Sequence, residues 1–368
     1  MTADDDARFM RAALALGRRG MGRTAPNPSV AALVVRDGVV VGRGITAPGG
    51  RPHAEPIALA QAGSASRGAM LYVTLEPCSH HGRTPPCVQA VLAAGVTRVV
   101  VALRDPDPRV AGRGIAQLRA ARLEVLEGVA AAEALQDHIG HVQRVTLGRP
   151  SVTVKMAETV DGIAAAAPDT PRLLITGARA NAYVHRLRSL HDAVLIGRGT
   201  AEADDPQLTV RLPGVAAANP TRIVLDTGAT LSLESQLVRT ARTHPVIVVV
   251  GSDVGVNRTA RLEAQGVEIC RMPVPGLNLG DVLQELGTRG LTRILCEGGP
   301  ALASEMILRG FADTIVRLTS PNPNGAMGGK PAFAREASRL LSETTSYALE
   351  DDARLGADRL RTYSKVRS

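Results

Sequence analysis

Apolar positions recur at helical spacing over residues 7–18, which predicts an opening helix. Residues 30–35 and 39–41 are instead nearly continuous in Val, Ala and Leu and flank Asp37-Gly38, the signature of a hairpin with a tight turn. Helix-like and strand-like segments then alternate: an Ala-rich helix over 53–62, a strand over 70–75, a helix over 87–94 that stops at Gly95, and a strand over 96–103. Segments 114–121, 123–128 and 130–142 continue the pattern, so this half reads as a layered α/β domain. Gly148-Arg149-Pro150 interrupts it and a new strand begins at Val152, which places a linker at 148–150 between domains spanning 1–147 and 151–368. Segments 152–156, 178–190, 193–197, 221–226, 246–251, 279–286, 293–297, 301–309 and 314–319 alternate in turn and imply a second α/β domain. Residues 321–329 read as a turn-rich loop, and no internal repeat is evident.

A chain of 368 residues is long enough for two cores. Aromatics are only 2% of it and Trp is absent, so the interior is built from Ala, Val, Leu and Ile, and a base-stacking platform for single-stranded nucleic acid is disfavoured. The formal charge of +8 favours anionic ligands. Arg dominates the basic residues; the lysines are Lys155, Lys330 and Lys365, and Lys155 stands inside an apolar strand-like run where a compact ammonium has a use of its own. Of the four cysteines, only Cys78 and Cys87 lie in a ligand-like context, so a disulfide framework is not expected and a reducing compartment is. The acidic opening lacks the basic-then-apolar order of a secretory signal, and no apolar run reaches membrane-spanning length, which together point to the cytoplasm.

His53-Ala54-Glu55, then Pro77-Cys78 and Cys87, supply three soft or borderline metal ligands and one carboxylate better placed for proton traffic. Catalytic zinc keeps three protein ligands and an open position for water, whose pKa it lowers toward neutrality. His53, Cys78 and Cys87 fill those three places, and Glu55 is the proton carrier of the nucleobase-deaminase pattern. Taken alone, Glu55 is simply an acid favoured at a helix start. A structural site would need a fourth ligand, for which His80 and His81 are nearby. His53 and Glu55 are expected in the first turn of one helix and Cys87 at the start of another, where helix dipoles favour thiolates.

Nucleic-acid deaminases usually separate their two cysteines by two residues, whereas residues 79–86 intervene here. The run Leu75-Glu76-Pro77-Cys78-Ser79-His80-His81-Gly82-Arg83-Thr84-Pro85-Pro86-Cys87, with Pro26-Asn27-Pro28 upstream, closely resembles the deaminase half of the bifunctional riboflavin-biosynthesis family of diaminohydroxyphosphoribosylaminopyrimidine deaminase/reductases. The resemblance extends downstream through Val154-Lys155-Met156-Ala157, Asp161-Gly162, Ile175-Thr176-Gly177, His185-Arg186-Leu187-Arg188, Gly197-Arg198-Gly199-Thr200, residues 203–211 and Cys296-Glu297-Gly298-Gly299-Pro300. It implies a cytidine-deaminase-like three-layer domain followed by a dihydrofolate-reductase-like domain, with Zn2+ and NADPH as cofactors. A small phosphoribosyl-pyrimidine is the implied substrate, and the assembly a homodimer or larger. Carried over position by position, it implies NADPH contacts at Ala157, Leu174, Thr200, Asp204, Thr227 and Gly299. Substrate contacts are implied at Asn27, Lys155, Arg172, Arg188, Leu208, Arg211 and Glu297. Asn27 suits both donor and acceptor edges of a pyrimidine. Arg188 and Arg211 suit phosphate as forks. Asp204 is a candidate proton-handling group near the reacting ribose carbon, although it or Asp205 equally suits the turn before Pro206. His80, His81 and Arg83 lie where a ribose phosphate could be met.

No Gly-x-Gly-x-x-Gly follows the first strand of either half, so a Rossmann domain is not indicated. Gly197-x-Gly199 fits the reductase fold that the resemblance implies, although a Gly-rich turn by itself is more often only a turn. The chain departs from the family's usual pattern at Arg172-Leu173-Leu174, where Ser-x-Trp is common, at Ile163 in place of Arg, and at Ala31 in place of Gly. Two rival readings remain at this level: a zinc deaminase of tRNA or nucleosides with an unrelated C-terminal domain, and a non-catalytic zinc-stabilised nucleotide-binding protein.

Overall fold

Successive residues of β1 (Ala31–Arg36) enter different cores: Ala32 and Val34 belong to one apolar cluster, Leu33 and Val35 to the other. A strand apolar at each of its first five positions must be covered on both faces. In the computed structural model, which describes residues 2–82, 84–167, 173–214, 219–274, 276–323, 328–343 and 345–366, helices provide that cover. The chain forms two units, Met1–Pro150 with Gly287–Thr292, and Ser151–Leu286 with Arg293–Ser368.

In the first unit, β1 pairs antiparallel with β2 (Val39–Ile45) and β3 (Met70–Val73), and β4 (Arg98–Val101) and β5 (Glu124–Glu127) continue in parallel, giving the order β2-β1-β3-β4-β5. Helices α1 (Ala3–Gly17) and α5 (Ala131–Leu147) pack on the Leu33 face; α2 (Ala54–Ala62), α3 (Cys87–Ala93) and α4 (Arg113–Ala120) pack on the Ala32 face. Helix α1 starts earlier than its apolar spacing predicts. Thr2 Oγ1 accepts the Asp5 N–H at 3.2 Å while the Asp5 carboxylate accepts the Thr2 N–H at 3.1 Å, a capping box that extends the helix over a polar first turn.

The second unit comprises β6 (Ser151–Glu158), β7 (Ile163–Ala165), α6 (Ala178–Ser189), β8 (Ala193–Gly197), α7 (Arg198–Asp204), β9 (Thr221–Leu225), α8 (Gln236–Arg239), β10 (Val246–Gly251), α9 (Val256–Glu263), β11 (Glu268–Met272), α10 (Leu279–Thr288), β12 (Arg293–Cys296), α11 (Pro300–Leu308), β13 (Thr314–Thr319), β14 (Lys330–Pro331), α12 (Arg335–Ser342), β15 (Tyr347–Leu355) and β16 (Asp358–Lys365). Its main sheet runs β11-β10-β9-β8-β12-β6-β13-β16-β15, parallel from β11 to β13 and antiparallel through the last two strands. The apolar pattern does not announce the β15–β16 hairpin, because β15 is an edge strand exposed over Glu350, Asp351 and Asp352. The turn-rich stretch 321–329 lies partly outside the described residues, at 324–327.

His191, between α6 and β8, is buried; its Nδ1–H donates to Leu187 O at 2.7 Å and its Nε2 accepts the Thr153 hydroxyl at 3.0 Å. Burial pushes the imidazole pKa down to about 4, so the folded chain holds it neutral. The unfolded chain takes up that proton below about pH 6.5, so this stabilisation is present above pH 6.5 and is lost as pH falls through about 4. We expect the wild type to lose about 2 kcal/mol more stability between pH 7 and 5 than His191→Gln, measured by urea denaturation.

Candidate active sites

His53 is the N-cap of α2 and Glu55 lies in its first turn, so the imidazole sits one position outside the helix proper. Helix α2 rests directly on β2 because Gly42 and Gly44 present no side chain: a Cβ on Gly44 would stand 2.1 Å from Ala54 O, and one on Gly42 2.2 Å from Ala58 O. Cys78 follows β3, and Cys87 opens α3 immediately after Pro86. These elements converge. His53 Nδ1 lies 3.3 Å from Cys87 Sγ and 3.6 Å from Cys78 Sγ, and the Cys87 N–H donates to Cys78 Sγ at 3.3 Å. The three ligand atoms lie within 4.8 Å of one another, a nitrogen-and-sulfur set of the kind that suits zinc. Among the described residues neither His80 nor His81 joins this group, which leaves it three-membered.

Glu55 is buried and does not belong to this group. Burial, and then the neighbouring Cys78 sulfur, push its carboxyl up to about 7. Hydrogen bonds from Cys87 and His53 hold the Cys78 thiol down to about 4, while Cys87 is driven up by its bond to Cys78 and by burial, so the Cys87 thiol donates to a Cys78 thiolate. His53 is raised chiefly by its hydrogen bond with Cys78.

His53, Glu55 and Cys78 open on a cavity of about 440 Å3 whose lining also includes Asn27, Glu76, Asp105 and His141. Asn27 Nδ2 donates to Gly50 O at 2.8 Å and stands 3.3 Å from His53 Nε2, so the residue lies beside the candidate metal ligand. Two features were missed by the sequence reasoning. Glu76 is buried and accepts the N–H groups of Asp105, Gly112, Gly114 and Ile115 at 3.3, 2.9, 3.0 and 3.2 Å, capping α4 from a distance and fixing the chain just before Pro77-Cys78. Its signal was an acid immediately after an apolar strand. His141 Nε2–H donates to Asp105 Oδ1 at 2.9 Å on the cavity wall, a pairing across the chain that no local pattern could indicate. Arg83 lies outside the described residues.

In the second unit, Ala157, Thr200 and Gly299 lie where parallel strands end, the usual ligand side of such sheets. Ala157 lies near the end of β6, Thr200 in the first turn of α7 after β8, and Gly299 after β12 as the N-cap of α11. The Gly299 N–H donates to Thr200 Oγ1 at 3.0 Å, which joins the last two loops. A Cβ on Gly197 or Gly199 would meet nothing within 4 Å, so backbone there faces open space that a phosphate-bearing cofactor can approach. The glycine pair thus introduces a helix, α7, and is not a simple turn.

Arg188, expected as a phosphate fork, is engaged within the protein. Its Nε pairs with Glu297 Oε1 at 2.5 Å, Nη2 with Oε2 at 2.9 Å, and Nη1 donates to Thr209 O at 3.1 Å. Burial opposes the Glu297 charge, but Arg188 and then Lys155 outweigh it and hold the carboxyl below its usual range. Asp204 ends α7, whereas Asp205 is committed structurally, accepting the Gln236 N–H at 2.7 Å. Leu208 is buried with φ of 56°, Arg211 and Thr227 are exposed, and Leu174 is 85% exposed. Arg172 lies outside the described residues.

Residues 3–103 match the model of the cytidine and deoxycytidylate deaminase zinc-binding region, and residues 150–355 match the RibD C-terminal domain. The chain is 38% identical to the riboflavin biosynthesis protein RibD of Aquifex aeolicus over 325 residues, covering 88% of this chain and 89% of that protein. It is 36% identical to the RibD of Escherichia coli, covering 87% and 89%. Among solved structures it is similar to Acinetobacter baumannii RibD, with a TM-score of 0.87 at 32% identity over 100% of both chains. It is likewise similar to a diaminohydroxyphosphoribosylaminopyrimidine deaminase/5-amino-6-(5-phosphoribosylamino)uracil reductase from Thermotoga maritima, with a TM-score of 0.85 at 31% identity and 100% coverage of both.

Proposed function

The chain belongs to the RibD family of riboflavin-biosynthesis proteins, bifunctional deaminase/reductases, and from that premise we propose how its residues divide the work. Residues 1–147 hydrolyse the exocyclic amine of a diaminopyrimidine carrying a phosphoribosyl group, and residues 151–368 reduce the ribose of the product to a ribityl chain. The observation that carries the first assignment is the converging His53, Cys78 and Cys87 set with Glu55 buried beside it and outside it. Zinc on those three ligands would supply a Lewis acid that activates water. Glu55 takes a proton from the attacking water and passes it to the departing nitrogen; the carbon–nitrogen bond breaks, ammonia leaves, and an oxo group remains on the ring. Asn27 orients the pyrimidine edge. Glu76 holds Cys78 in place through the backbone.

For the reduction, NADPH bound along Ala157, Leu174, Thr200, Asp204, Thr227 and the Gly299 loop would supply the hydride. Asp204 is assigned the proton taken up by the ribose oxygen. Lys155, Glu297, Arg188 and Leu208 line the substrate, and Arg211 meets its phosphate as a fork. The match of residues 150–355 to the RibD C-terminal domain speaks against the tRNA-deaminase reading, which requires an unrelated second half. No helix among the described residues is long and apolar enough to cross a membrane. A cytoplasmic homo-oligomer remains the proposed working form.

The test is incubation with the diaminopyrimidine phosphate, with and without NADPH, following ammonia and NADPH absorbance separately. Ammonia is expected in both reactions and NADPH oxidation only after deamination. Ammonia without any NADPH oxidation would refute the reductase half, and neither signal would refute both.

A further inference from the structure

Five residues of the second unit form one hydrogen-bonded chain that the assignments above do not explain. Glu297 grips Arg188 at two points, and Arg188 Nη1 donates to Thr209 O at 3.1 Å. His185, three residues before Arg188 on α6, brings its Nδ1 to 3.1 Å from the same Thr209 O and to 3.2 Å from the Arg211 N. One ring nitrogen cannot donate to the first and accept from the second at once. Thr209 O already has a donor in Arg188, whereas the Arg211 N–H has no other acceptor among the described residues. A backbone N–H seeks a partner, so Nδ1 carries the lone pair and accepts from Arg211, leaving the proton on Nε2. Burial, then the Arg188 and Arg211 charges, hold His185 below its ordinary pKa, which keeps it in the neutral form this bond requires.

The segment so held is not relaxed by itself. Asp205 and Leu208 both occupy the left-handed region, with φ of 39° and 56°, conformations that side chains other than glycine adopt only when their surroundings impose them. One end is tied where the Asp205 carboxylate accepts the Gln236 N–H at 2.7 Å and the Gln236 side chain donates to Asp205 O at 2.6 Å. The Val210 N–H is tied to Asn219 Oδ1 at 2.8 Å. His185 ties the last point, Arg211. That side chain is exposed, and its Nη1 donates to Gln207 Oε1 at 2.8 Å and Thr209 Oγ1 at 3.1 Å, leaving Nε and Nη2 without a protein partner among the described residues.

We propose that His185 is a positioning residue: by accepting the Arg211 N–H on Nδ1 it sets the 205–211 segment so that the free edge of the Arg211 guanidinium is presented to the substrate's phosphate, while Arg188 serves as an internal bracket for Glu297 and Thr209. The inference rests on the reductase reading above. It makes discrimination between phosphorylated and unphosphorylated substrate the property that His185 controls.

The experiment compares the full chain with Arg211→Ala, His185→Ala, His185→Asn and His185→Gln, measuring NADPH oxidation with the deaminated pyrimidine phosphate and with its dephosphorylated counterpart. Arg211→Ala and His185→Ala should each cut the preference for the phosphorylated substrate by about tenfold, mainly through KM, as expected for loss of a charge-assisted contact or of the bond that aims it. Asn places an amide oxygen where Nδ1 stood and should keep the preference within about threefold of wild type, whereas Gln reaches toward the Nε2 position and should behave as Ala does. A merely structural role would lower both substrates alike. That result, an unchanged preference in His185→Ala, or equal rescue by Gln and Asn would overturn the proposal; should His185→Ala not fold, the Asn and Gln variants at matched melting temperature decide it. A wild type that oxidises NADPH with neither substrate would instead overturn the reductase reading, and this inference with it.

Discussion

Glu55→Gln should abolish ammonia release from the diaminopyrimidine phosphate by about 1,000-fold, within the range that general acid–base groups contribute, while the purified protein keeps its zinc. The amide preserves the shape of the side chain and can still hydrogen-bond in the buried space beside Cys78 and Cys87, but it cannot accept the proton of the attacking water and return it to the leaving nitrogen. Glu55 is 3% exposed, so bulk water is poorly placed to substitute for it. The reductase supplies an internal comparison: with the deaminated product offered directly, NADPH oxidation should proceed at the wild-type rate. Zinc lost together with activity would instead make Glu55 a structural support of the metal site, and unimpaired ammonia release would remove it from the mechanism.

Cys78→Ala should act one step earlier. Its sulfur receives the Cys87 N–H at 3.3 Å and stands 3.6 Å from His53 Nδ1, so alanine removes one of only two sulfurs from a set of three. Three-ligand sites have no spare donor, and zinc content measured by elemental analysis should fall from about one per chain to near zero. Ammonia release should fall to background. Chelator treatment of the wild type should reproduce this loss, and added zinc should reverse it in the wild type but not in Cys78→Ala. NADPH oxidation with deaminated substrate should be untouched by either treatment. Retention of zinc by Cys78→Ala would move the metal away from this triad altogether.

The deaminase ligands were readable because a helix start fixes His53 and Glu55 within one turn, and because Cys87 follows a proline at the entry to another helix. The alternating segments were readable for a related reason: buried strands and amphipathic helices impose periodicities that survive in a single sequence. Polar edges were not. The β15–β16 hairpin carries little apolar periodicity that distinguishes it from loop, α9 is a short, mostly polar helix that buries only Thr259 and Leu262, and α7 hides behind two glycines. In the reductase half the residue identities could be carried over from a resemblance, but their mutual use could not. Arg188 had the chemistry of a phosphate fork, yet the structure gives much of its hydrogen-bonding capacity to Glu297, 109 positions away in sequence, and to Thr209 O.

What the sequence determined by itself was the inventory and its local spacing: a His-x-Glu pair, two cysteines separated by a long insertion, a break at 148–150, and two runs of alternating apolar segments. Such features follow from helical and extended repeat lengths, which act over a few residues. What only the tertiary structure decided was partnership. The convergence of Cys78 and Cys87 on His53, the remote capping of α4 by Glu76, and the hold of His185 on Arg211 join groups on different elements, and hydrogen bonds and metal ligation work only over a few ångströms. Which groups come that close is set by how the helices seat on their sheets, down to the absence of a Cβ at Gly44 that lets α2 bring His53 to Cys78 and Cys87.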